Sequence, residues 1–336
     1  MNITVLFLGG CAVVAAAELA AHAFFLQLGS RWMKTAHIGF CRALWVIIVV
    51  GIVGCIPGIL LDRVPTGGPG RAAVILLLQV VLSWGLAWLV VARMLKTSLW
   101  RGIIVWLVML IPAIGFALLA LFVVRPYMFE AFKIPTNSMA PTVLGKHWEA
   151  PCPRCGSPAF CTSEPERPGA SHEPVLMICS RELRSCKVDN PPRAEHPGDR
   201  LVVTKFIHPQ RWDVIVFRLP EDPEIYFCKR LVGLPGETVT IKDGAVWIDG
   251  KRQSPPDSCK SVEYIDHFDG WPSTFWGNEA HPAKLGPDEY FVLGDFSARA
   301  KDSRLWEKGA PGHPPYAVPA SYIVGVVTHI YWPLSR

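Results

Sequence analysis

The sequence predicts a multi-pass α-helical membrane anchor of about four transmembrane helices, followed by a mainly antiparallel β domain. Three observations support this prediction. Of the 336 residues, 51% are hydrophobic and only 18% are charged, which is unusual for a soluble protein. Almost no Asp or Glu occurs in residues 1–124, whereas residues 125–336 are polar and rich in Pro and Gly. Short β-branched and aromatic runs follow residue 199. We therefore expect an anchor at 1–125 and a β domain at 126–336.

Four segments of the anchor are long enough to cross a bilayer, which takes about 20 apolar residues. They lie near 3–28, 43–61, 72–92 and 102–124. The first segment carries Glu18 and His22, but it is too long for a cleaved signal peptide and lacks a cationic start. All four are therefore predicted to be transmembrane helices.

Basic residues in the short loops predict the orientation of the anchor, because loops rich in Lys and Arg stay in the cytoplasm. The loops after the first and third segments hold six such residues: Arg31, Lys34, Arg42, Arg93, Lys96 and Arg101. The loop after the second segment holds only Arg63 and Arg71. This bias places the N-terminus and the β domain on the outer side. The net charge of +5 includes no long basic run, so no nucleic-acid partner is expected.

The β domain is predicted from six runs bounded by Pro, Gly and Asp. They lie at 200–206, 213–219, 225–233, 238–250, 289–295 and 322–332. The fourth run contains Asp243-Gly244, the residue pair typical of a type I′ hairpin turn. Few helical periods follow Pro135, so the strands are expected to form a barrel-like or coiled antiparallel sheet.

Two polar residues stand out in apolar or Pro-rich surroundings. Ser138 lies in "FKIPTNSMAPT", just past the fourth segment, and Lys229 lies inside the apolar run of "YFCKRLVGLPGETV". A serine hydroxyl needs a neighbouring base to act as a nucleophile. A lysine turned into the core loses hydration, and lowering its pKa from about 10.4 to about 7–8 costs roughly 3–4 kcal/mol. Taken singly, each residue is more often an ordinary surface serine or a solvated lysine.

A third stretch, "VLGDFSARAKDSRLW", places Asp302 and Arg304 on either side of Ser303. Their alternation puts the carboxylate and the guanidinium on one side of an extended segment, where an ion pair can fix the loop. By itself this stretch also fits an ordinary charged loop.

Together these stretches, with "GDRLVVTKF" and "RWDVIVFRLP", resemble type I signal peptidase, the membrane-bound Ser-Lys endopeptidase of the leader peptidase family. The motifs occur in the family's order, span most of residues 129–306 and follow transmembrane helices. The resemblance implies a β catalytic domain of the signal-peptidase type, which needs no cofactor for catalysis. It also implies a serine endopeptidase that removes signal peptides from secreted preproteins.

The resemblance assigns roles residue by residue. Ser138 matches the nucleophile and Lys229 the general base, while the Thr136 hydroxyl and the Ser138 N–H match the oxyanion hole. The supporting group is Asp302, Arg304, Ser303, Gly294 and Asp295. The substrate pockets, which accept small side chains and explain cleavage after Ala-x-Ala, correspond to Phe132, Ile134, Pro135 and Met139.

The sequence departs from the family at Ala300, where a serine usually orients the catalytic lysine. Losing a hydrogen bond to a buried amine costs about 1–3 kcal/mol. Ser297, Ser303 or a water could replace that hydroxyl. Smaller departures are Trp212 for Gly and Phe296 for Asn. The alternative reading is a catalytically impaired homologue that acts as a membrane-anchored binding or scaffold protein.

A second departure is a cysteine-rich insertion at 147–197. Cys152-Pro-Arg-Cys155-Gly has the form of a zinc knuckle, and Cys179 and Cys186 supply a second pair with a wider spacing. A structural zinc site formed by these four residues is expected, with disulfides as the alternative because outer compartments are oxidising. Cys161 would be left over. Cys228, next to Lys229, is predicted to be a small core residue.

The expected location is the inner (plasma) membrane, with the catalytic domain on the extracytoplasmic, periplasmic side. The expected partners are signal peptides and the lipid bilayer. A serine close to the membrane surface would meet a cleavage site that is itself tethered there. Two further alternatives, a cytosolic self-cleaving Ser-Lys repressor and a transporter, fit the four apolar segments poorly.

Overall fold

The computed structural model describes residues 3–35, 37–61, 64, 69–163, 174–266 and 275–333, with side chains omitted for residues 3–11 and 69. The chain divides into two compact units, Met1–Val123 and Val124–Arg336.

The first unit is helical. Its helices are α1 (Ile3–Trp32), α2 (Phe40–Leu61), α3 (Pro69–Met94), α4 (Leu99–Met109) and α5 (Ile111–Leu119), and a π-helical stretch follows at Ala120–Met128. Among the described residues, four helical stretches are long and apolar enough to cross a membrane, namely Ala12–Trp32, Phe40–Leu61, Gly70–Met94 and Leu99–Met128. This confirms the prediction of four apolar helices ahead of the β domain.

The fourth stretch differs from the single helix expected at 102–124. It breaks at Leu110, which ends α4 and begins α5, and Pro112 lies in the first turn of α5. Proline has no N–H for the helical ladder, and its ring crowds the preceding turn, so the break falls where the sequence places it. Close packing in this unit depends on Gly102, since a Cβ there would lie 2.5 Å from the Ala92 Cβ.

The second unit consists mainly of antiparallel β-strands, with two short 3₁₀ helices at Ser297–Arg299 and Ala320–Tyr322. Its strands are β1 (Phe129–Lys133), β2 (His147–Pro151), β3 (Pro158–Thr162), β4 (Val175–Cys179), β5 (Ser185–Val188), β6 (Arg200–Thr204), β7 (Val214–Leu219), β8 (Asp222–Gly233), β9 (Thr238–Lys242), β10 (Ala245–Ile248), β11 (Lys251–Arg252), β12 (Ala283–Lys284), β13 (Glu289–Leu293), β14 (Val318–Pro319) and β15 (Ile323–Trp332). All six predicted runs form strands at the expected places.

Three sheets share these strands. The largest has seven strands in the order β1-β6-β15-β7-β8-β13-β14, and a second has the order β11-β10-β9-β12. The turn between β9 and β10 consists of Asp243 and Gly244 at φ 52° and 72°. Positive φ at both central residues is the signature of the predicted type I′ turn.

The third sheet, which we call the cysteine sheet, has the order β2-β3-β4-β5. It is formed by the insertion, in which residues 164–173 lie outside the described residues. Sequence analysis identified no strand here, because the runs are short and interrupted by Cys, Pro and Gly. Its buried core contains four cysteines, Cys152, Cys161, Cys179 and Cys186, together with Trp148, Ala150, Ala159, Met177 and Val188.

The register of the large sheet sets the position of Lys229. This residue lies on β8 opposite Ile215 of β7, and Arg230, next along β8, lies opposite Leu293 of β13. Successive side chains of a strand point to opposite faces, so Lys229 and Arg230 project to different sides. Ser138 lies in the turns that follow β1.

Candidate active site

Ser138 and Lys229 meet in space. The Lys229 Nζ lies 2.7 Å from the Ser138 Oγ, although the two residues are 91 positions apart. Lys229 is 3% exposed, and its Nζ also donates a 3.1 Å hydrogen bond to the Cys228 carbonyl. The arrangement places an amine against the hydroxyl that sequence analysis selected as a nucleophile.

The surroundings of Lys229 favour its neutral form. Burial lowers the pKa of Lys229, and the negative charge of Asp302 opposes this shift without cancelling it. Arg304 adds a smaller effect that also lowers the pKa. A buried amine with a lowered pKa can accept a proton at a pH where an exposed lysine cannot.

The residue before the serine, Asn137, fixes the turn that carries it. Asn137 is 4% exposed, and its Nδ2 donates to the Lys146 carbonyl at 2.7 Å and to the Cys161 carbonyl at 3.3 Å. Its Oδ1 accepts the Gly145 N–H at 2.9 Å. Sequence analysis missed Asn137, although an amide side chain in a Pro-containing turn commonly hydrogen-bonds nearby backbone.

Glycine allows the backbone to pack closely beneath this turn. A Cβ on Gly145 would lie 2.5 Å from the Thr136 carbonyl carbon, and a Cβ on Gly198 would lie 2.9 Å from the Gly145 carbonyl carbon. The next residue, Asp199, is buried and accepts the Leu144 N–H at 2.8 Å. Gly198 and Asp199, which begin the motif "GDRLVV", therefore pack against and hydrogen-bond the chain that follows Ser138.

Asp302 and Arg304 form the ion pair that their alternation predicts. Arg304 Nε donates to Asp302 Oδ1 at 2.8 Å, and Arg304 Nη2 donates to Asp302 Oδ2 at 2.7 Å. Both residues and Ser303 are fully buried. The Gly294 N–H also donates to Asp302 Oδ2 at 2.9 Å, so the pair fixes the chain on both sides of the loop.

Asp295, which the resemblance assigns to the supporting group, belongs to a second buried ion pair. Arg230 Nε donates to Asp295 Oδ1 at 2.7 Å, and the Thr142 hydroxyl donates to Asp295 Oδ2 at 2.5 Å. Arg230 directly follows Lys229 on β8. Because Asp295 accepts hydrogen bonds from both Arg230 and Thr142, the ion pair links β8 to the segment after Ser138. Sequence analysis did not identify Arg230, because a Lys-Arg pair in a strand carries no sign of which residue is paired.

The two serines suggested as replacements for the hydroxyl missing at Ala300 are engaged elsewhere. Ser297 Oγ accepts hydrogen bonds from the Ile265 N–H at 2.9 Å and from Arg304 Nη1 at 2.7 Å. Ser303 Oγ accepts the Val292 N–H at 3.0 Å. The described neighbour that orients the Lys229 amine is the Cys228 carbonyl instead.

A cleft of about 850 Å³ opens beside the serine and the lysine. The predicted substrate-binding residues Phe132, Ile134, Pro135 and Met139 all line it, as do Thr136, Ser138 and Lys229. Sequence analysis missed other members of the wall, including Ile225 and Tyr226 of β8 and Thr162 of β3. The ring of Phe132 packs 5.6 Å from that of Tyr226, and the cleft is therefore largely apolar near its β1–β8 side.

The insertion brings its cysteines together. The sulfurs of Cys152, Cys155 and Cys179 all lie within 4.8 Å of one another, and the Sγ atoms of Cys155 and Cys179 are 3.4 Å apart. Cys186 lies outside this group of three sulfurs but shares a buried core cluster with Cys152 and Cys179. These four are the predicted zinc ligands. Cys228 instead packs beside Ile134 and Met139 as an apolar residue, in line with its prediction.

Comparisons with known proteins agree with the motifs. A family model described as signal peptidase, peptidase S26, matches residues 175–332. Signal peptidase I of Leptolyngbya laminosa is 35% identical over 156 residues, which are 41% of this chain and 63% of that protein. Signal peptidase I of Pseudomonas fluorescens is 31% identical over 206 residues, 49% of this chain and 72% of that protein.

This chain is also similar to a crystal structure of a signal peptidase I from Enterococcus faecalis. The match has 30% sequence identity and a TM-score of 0.27, and it covers 36% of this chain and 98% of the Enterococcus chain. The chain spans less than two thirds of the length of several curated relatives, for example 56% of signal peptidase I T of Bacillus subtilis.

Fold and site together define a protein with four membrane-length apolar helices and an antiparallel β domain that pairs a serine with a buried lysine. With relatives of this identity and coverage, the chain belongs to the signal peptidase I family, peptidase S26.

Proposed function

We propose that this chain is a signal peptidase, a serine endopeptidase that cleaves signal peptides from secreted preproteins after small residues in Ala-x-Ala sites. The observation that carries the proposal is the 2.7 Å separation of the Ser138 Oγ and the Nζ of buried Lys229. Membership of the signal peptidase I family supports it.

In the proposed reaction, neutral Lys229 accepts the hydroxyl proton while the Ser138 Oγ attacks the scissile carbonyl. The resulting oxyanion accepts hydrogen bonds from the Ser138 N–H and the Thr136 hydroxyl. Lys229 then gives its proton to the leaving amine, and the C–N bond breaks to leave an acyl-enzyme. A water, deprotonated by Lys229, attacks the ester, and its proton returns to the Ser138 oxygen as the new carboxyl product leaves.

Substrate choice is proposed to reside in the apolar part of the cleft. Met139 and Ile134 are 1% and 7% exposed, so only shallow depressions remain above them. Such depressions accept an alanine methyl and exclude larger side chains at the −1 and −3 positions. Phe132 and Pro135 lie on the β1 side of the same cleft, where an extended substrate can lie along the wall.

The proposed location is the inner membrane, with Ser138 on the outer side. Only nine residues, 129–137, separate the last apolar helix, Leu99–Met128, from the serine. A signal peptide held in the same membrane presents its cleavage site without a search in solution. Labelling of an introduced cysteine with a membrane-impermeant reagent tests the side: labelling at Lys133→Cys in intact spheroplasts supports it, and labelling only after lysis contradicts it.

The reaction as proposed uses only protein side chains and water, without a catalytic cofactor. The zinc ion predicted for Cys152, Cys155, Cys179 and Cys186 takes no step in it and remains a structural prediction.

A catalytically impaired scaffold is the second candidate, and Ala300 is the observation that favours it. Incubating the purified chain with a preprotein that carries an Ala-x-Ala site distinguishes the two. We expect cleavage by the wild type and a loss of at least about 10²–10⁴-fold in Lys229→Ala, the usual contribution of a general base, with a comparable or larger loss in Ser138→Ala. Lys251→Ala is the matched control, because Lys251 is an exposed lysine of β11 that does not line the cleft. An inactive wild type would instead support the catalytically impaired scaffold.

A further inference from the structure

The cysteine sheet contains a turn that brings two thiols to one side. Cys152 follows β2, and its backbone N–H donates to the Ser157 carbonyl at 2.8 Å. The Gly156 N–H donates to the Cys152 carbonyl at 2.8 Å, and Gly156 has a φ of +71°, which glycine adopts without strain. Cys155 is thereby directed to the same side as Cys152.

The same turn recurs at the end of β4, where the sequence gives little sign of it. The Leu183 N–H donates to the Cys179 carbonyl at 3.0 Å, and the Glu182 N–H lies 3.5 Å from the Cys179 sulfur. Leu183 has a φ of +54°, which is uncommon and costly for a residue with a Cβ. The position equivalent to Cys155 is Glu182, whose carboxylate accepts Arg154 Nε at 2.7 Å. The fourth thiol comes from β5, where Cys186 pairs with Met177 of β4.

The arrangement of the sulfurs suits a metal ion better than disulfides. Cys152, Cys155, Cys179 and Cys186 are free thiols, and the first three sulfurs converge on one point rather than forming pairs. A tetrahedral zinc site has Zn–S distances of about 2.3 Å, which separates its sulfurs by more than 3 Å. A disulfide requires an S–S distance of about 2.05 Å, whereas Cys155 and Cys179 are 3.4 Å apart.

The cysteine sheet also contacts the turn that carries Ser138. The Cys161 carbonyl of β3 accepts the hydrogen bond from Asn137. β3 lies between β2 and β4, the strands that lead to the thiols. Cys161 is opposite Trp148 of β2, and Ala159 is opposite Cys179 of β4. Apolar contacts reinforce this link. Ala140 and Leu144, which follow Ser138, share a buried cluster with Phe160 of β3 and Ile178 of β4.

We propose that Cys152, Cys155, Cys179 and Cys186 bind one structural zinc ion, and that the zinc-bound sheet positions the Ser138 turn through Asn137. Asn137 is a positioning residue in this account, and its importance for turnover rests on the proposed function of Ser138. A small sheet with few large apolar side chains needs a bound metal ion or a similar cross-link to stay ordered. Without zinc, we expect the sheet to loosen and residues 134–146 to lose their support.

Metal analysis of the purified full-length chain in detergent tests the first half. We expect one zinc per chain and, after exchange with Co²⁺, the intense sulfur-to-cobalt absorption of four thiolates. Cys179→Ser should lose the metal. Cys155→His, which keeps a ligand at a half-exposed position, should retain it with a weaker thiolate band. Cys259→Ala is the matched control, since Cys259 is a buried cysteine of a different core cluster, and it should keep a full zinc content.

Hydrogen exchange of the same full-length chain tests the second half without depending on catalysis. Removing zinc with a chelator should accelerate exchange of residues 134–146 by about tenfold or more, with no change in the β9–β10 hairpin at 238–248. Asn137→Ala should keep its zinc and still show faster exchange in residues 134–146.

Three results would overturn the proposal. The first is a chain without zinc whose intact mass is lower by the hydrogens lost to disulfides. The second is full zinc retention in both Cys179→Ser and a Cys152→Ser variant. The third is zinc removal that leaves the exchange of residues 134–146 unchanged. Because none of these readouts uses a preprotein, they remain informative even if the peptidase assay fails.

Discussion

Arg304 donates to both carboxylate oxygens of Asp302, at 2.8 and 2.7 Å, and neither side chain is exposed to solvent. The remaining donors of Arg304 are also used, with Nη1 on the Ile265 carbonyl and on Ser297 Oγ. A buried charge with every partner satisfied is tolerated, whereas one left unpaired is costly. The pair therefore fixes the loop that runs past Lys229.

Asp302→Ala should destabilise the β domain by about 3–5 kcal/mol, because it leaves the Arg304 guanidinium buried without its counter-charge. Urea unfolding of the full chain in detergent, followed by tryptophan fluorescence, measures the loss. The control is Lys301→Ala, which removes a half-exposed partner of Glu221 and should change the free energy of unfolding little. A loss below about 1 kcal/mol in Asp302→Ala would show that the pair contributes no more than a surface ion pair.

Gly294→Ala should lower activity by about 10²-fold while the chain still folds. An added Cβ would lie 2.6 Å from the Ser138 carbonyl oxygen and would also collide with the Ala300 Cβ. The turn that carries Ser138 must then move, and a displacement of about 1 Å can cost about 10²-fold in rate. Preprotein cleavage measures the effect. Gly39→Ala is the control, since a Cβ there meets no atom within 4 Å. Equal rates for the two variants would contradict the close packing of Gly294 on the serine turn.

Ala300→Ser should preserve or raise turnover, because it restores a hydroxyl where relatives of the family use one to orient the lysine. Ala300 is fully buried, and one added oxygen is a small change in volume. Steady-state cleavage measures kcat and KM separately, and any gain is expected in kcat. Ser303→Ala serves as the comparison: its hydroxyl accepts the Val292 N–H, so its loss should lower stability without shifting the pH profile. A large drop in kcat for Ala300→Ser would contradict this explanation of the departure.

The sequence predicted most of the large architecture, since the signals were long or local. Four apolar segments specify helices and six β-branched runs specify strands, one of them the β9–β10 hairpin, and Asp243-Gly244 specifies its own turn. The break at Leu110 was missed because hydropathy is continuous across it, although Pro112 marks the place. The cysteine sheet was missed because its short strands depend on thiols and long-range packing rather than on residue periodicity.

The candidate site was predictable only in part. The resemblance selected Ser138 and Lys229, and the structure brings them together. The partners of the second layer were not predictable, because hydrogen bonds such as Asn137 to Cys161 and Arg230 to Asp295 join residues 24 and 65 positions apart. A local pattern such as Asp302-Ser303-Arg304 reveals its own ion pair, whereas a distant pair leaves no trace in one sequence.

The central claim is that Lys229 acts as a neutral base, and the pH dependence of kcat/KM tests it most directly. Burial lowers the pKa of Lys229 from its ordinary value of 10.5. Below the lowered pKa the amine is protonated and cannot accept the Ser138 proton, so activity must rise as pH increases through that value. For an Ala-x-Ala peptide we expect this rise well below pH 10.5, and we expect it to disappear with Lys229→Ala. A rise that occurs only near pH 10.5, or activity that persists in Lys229→Ala, would contradict the account.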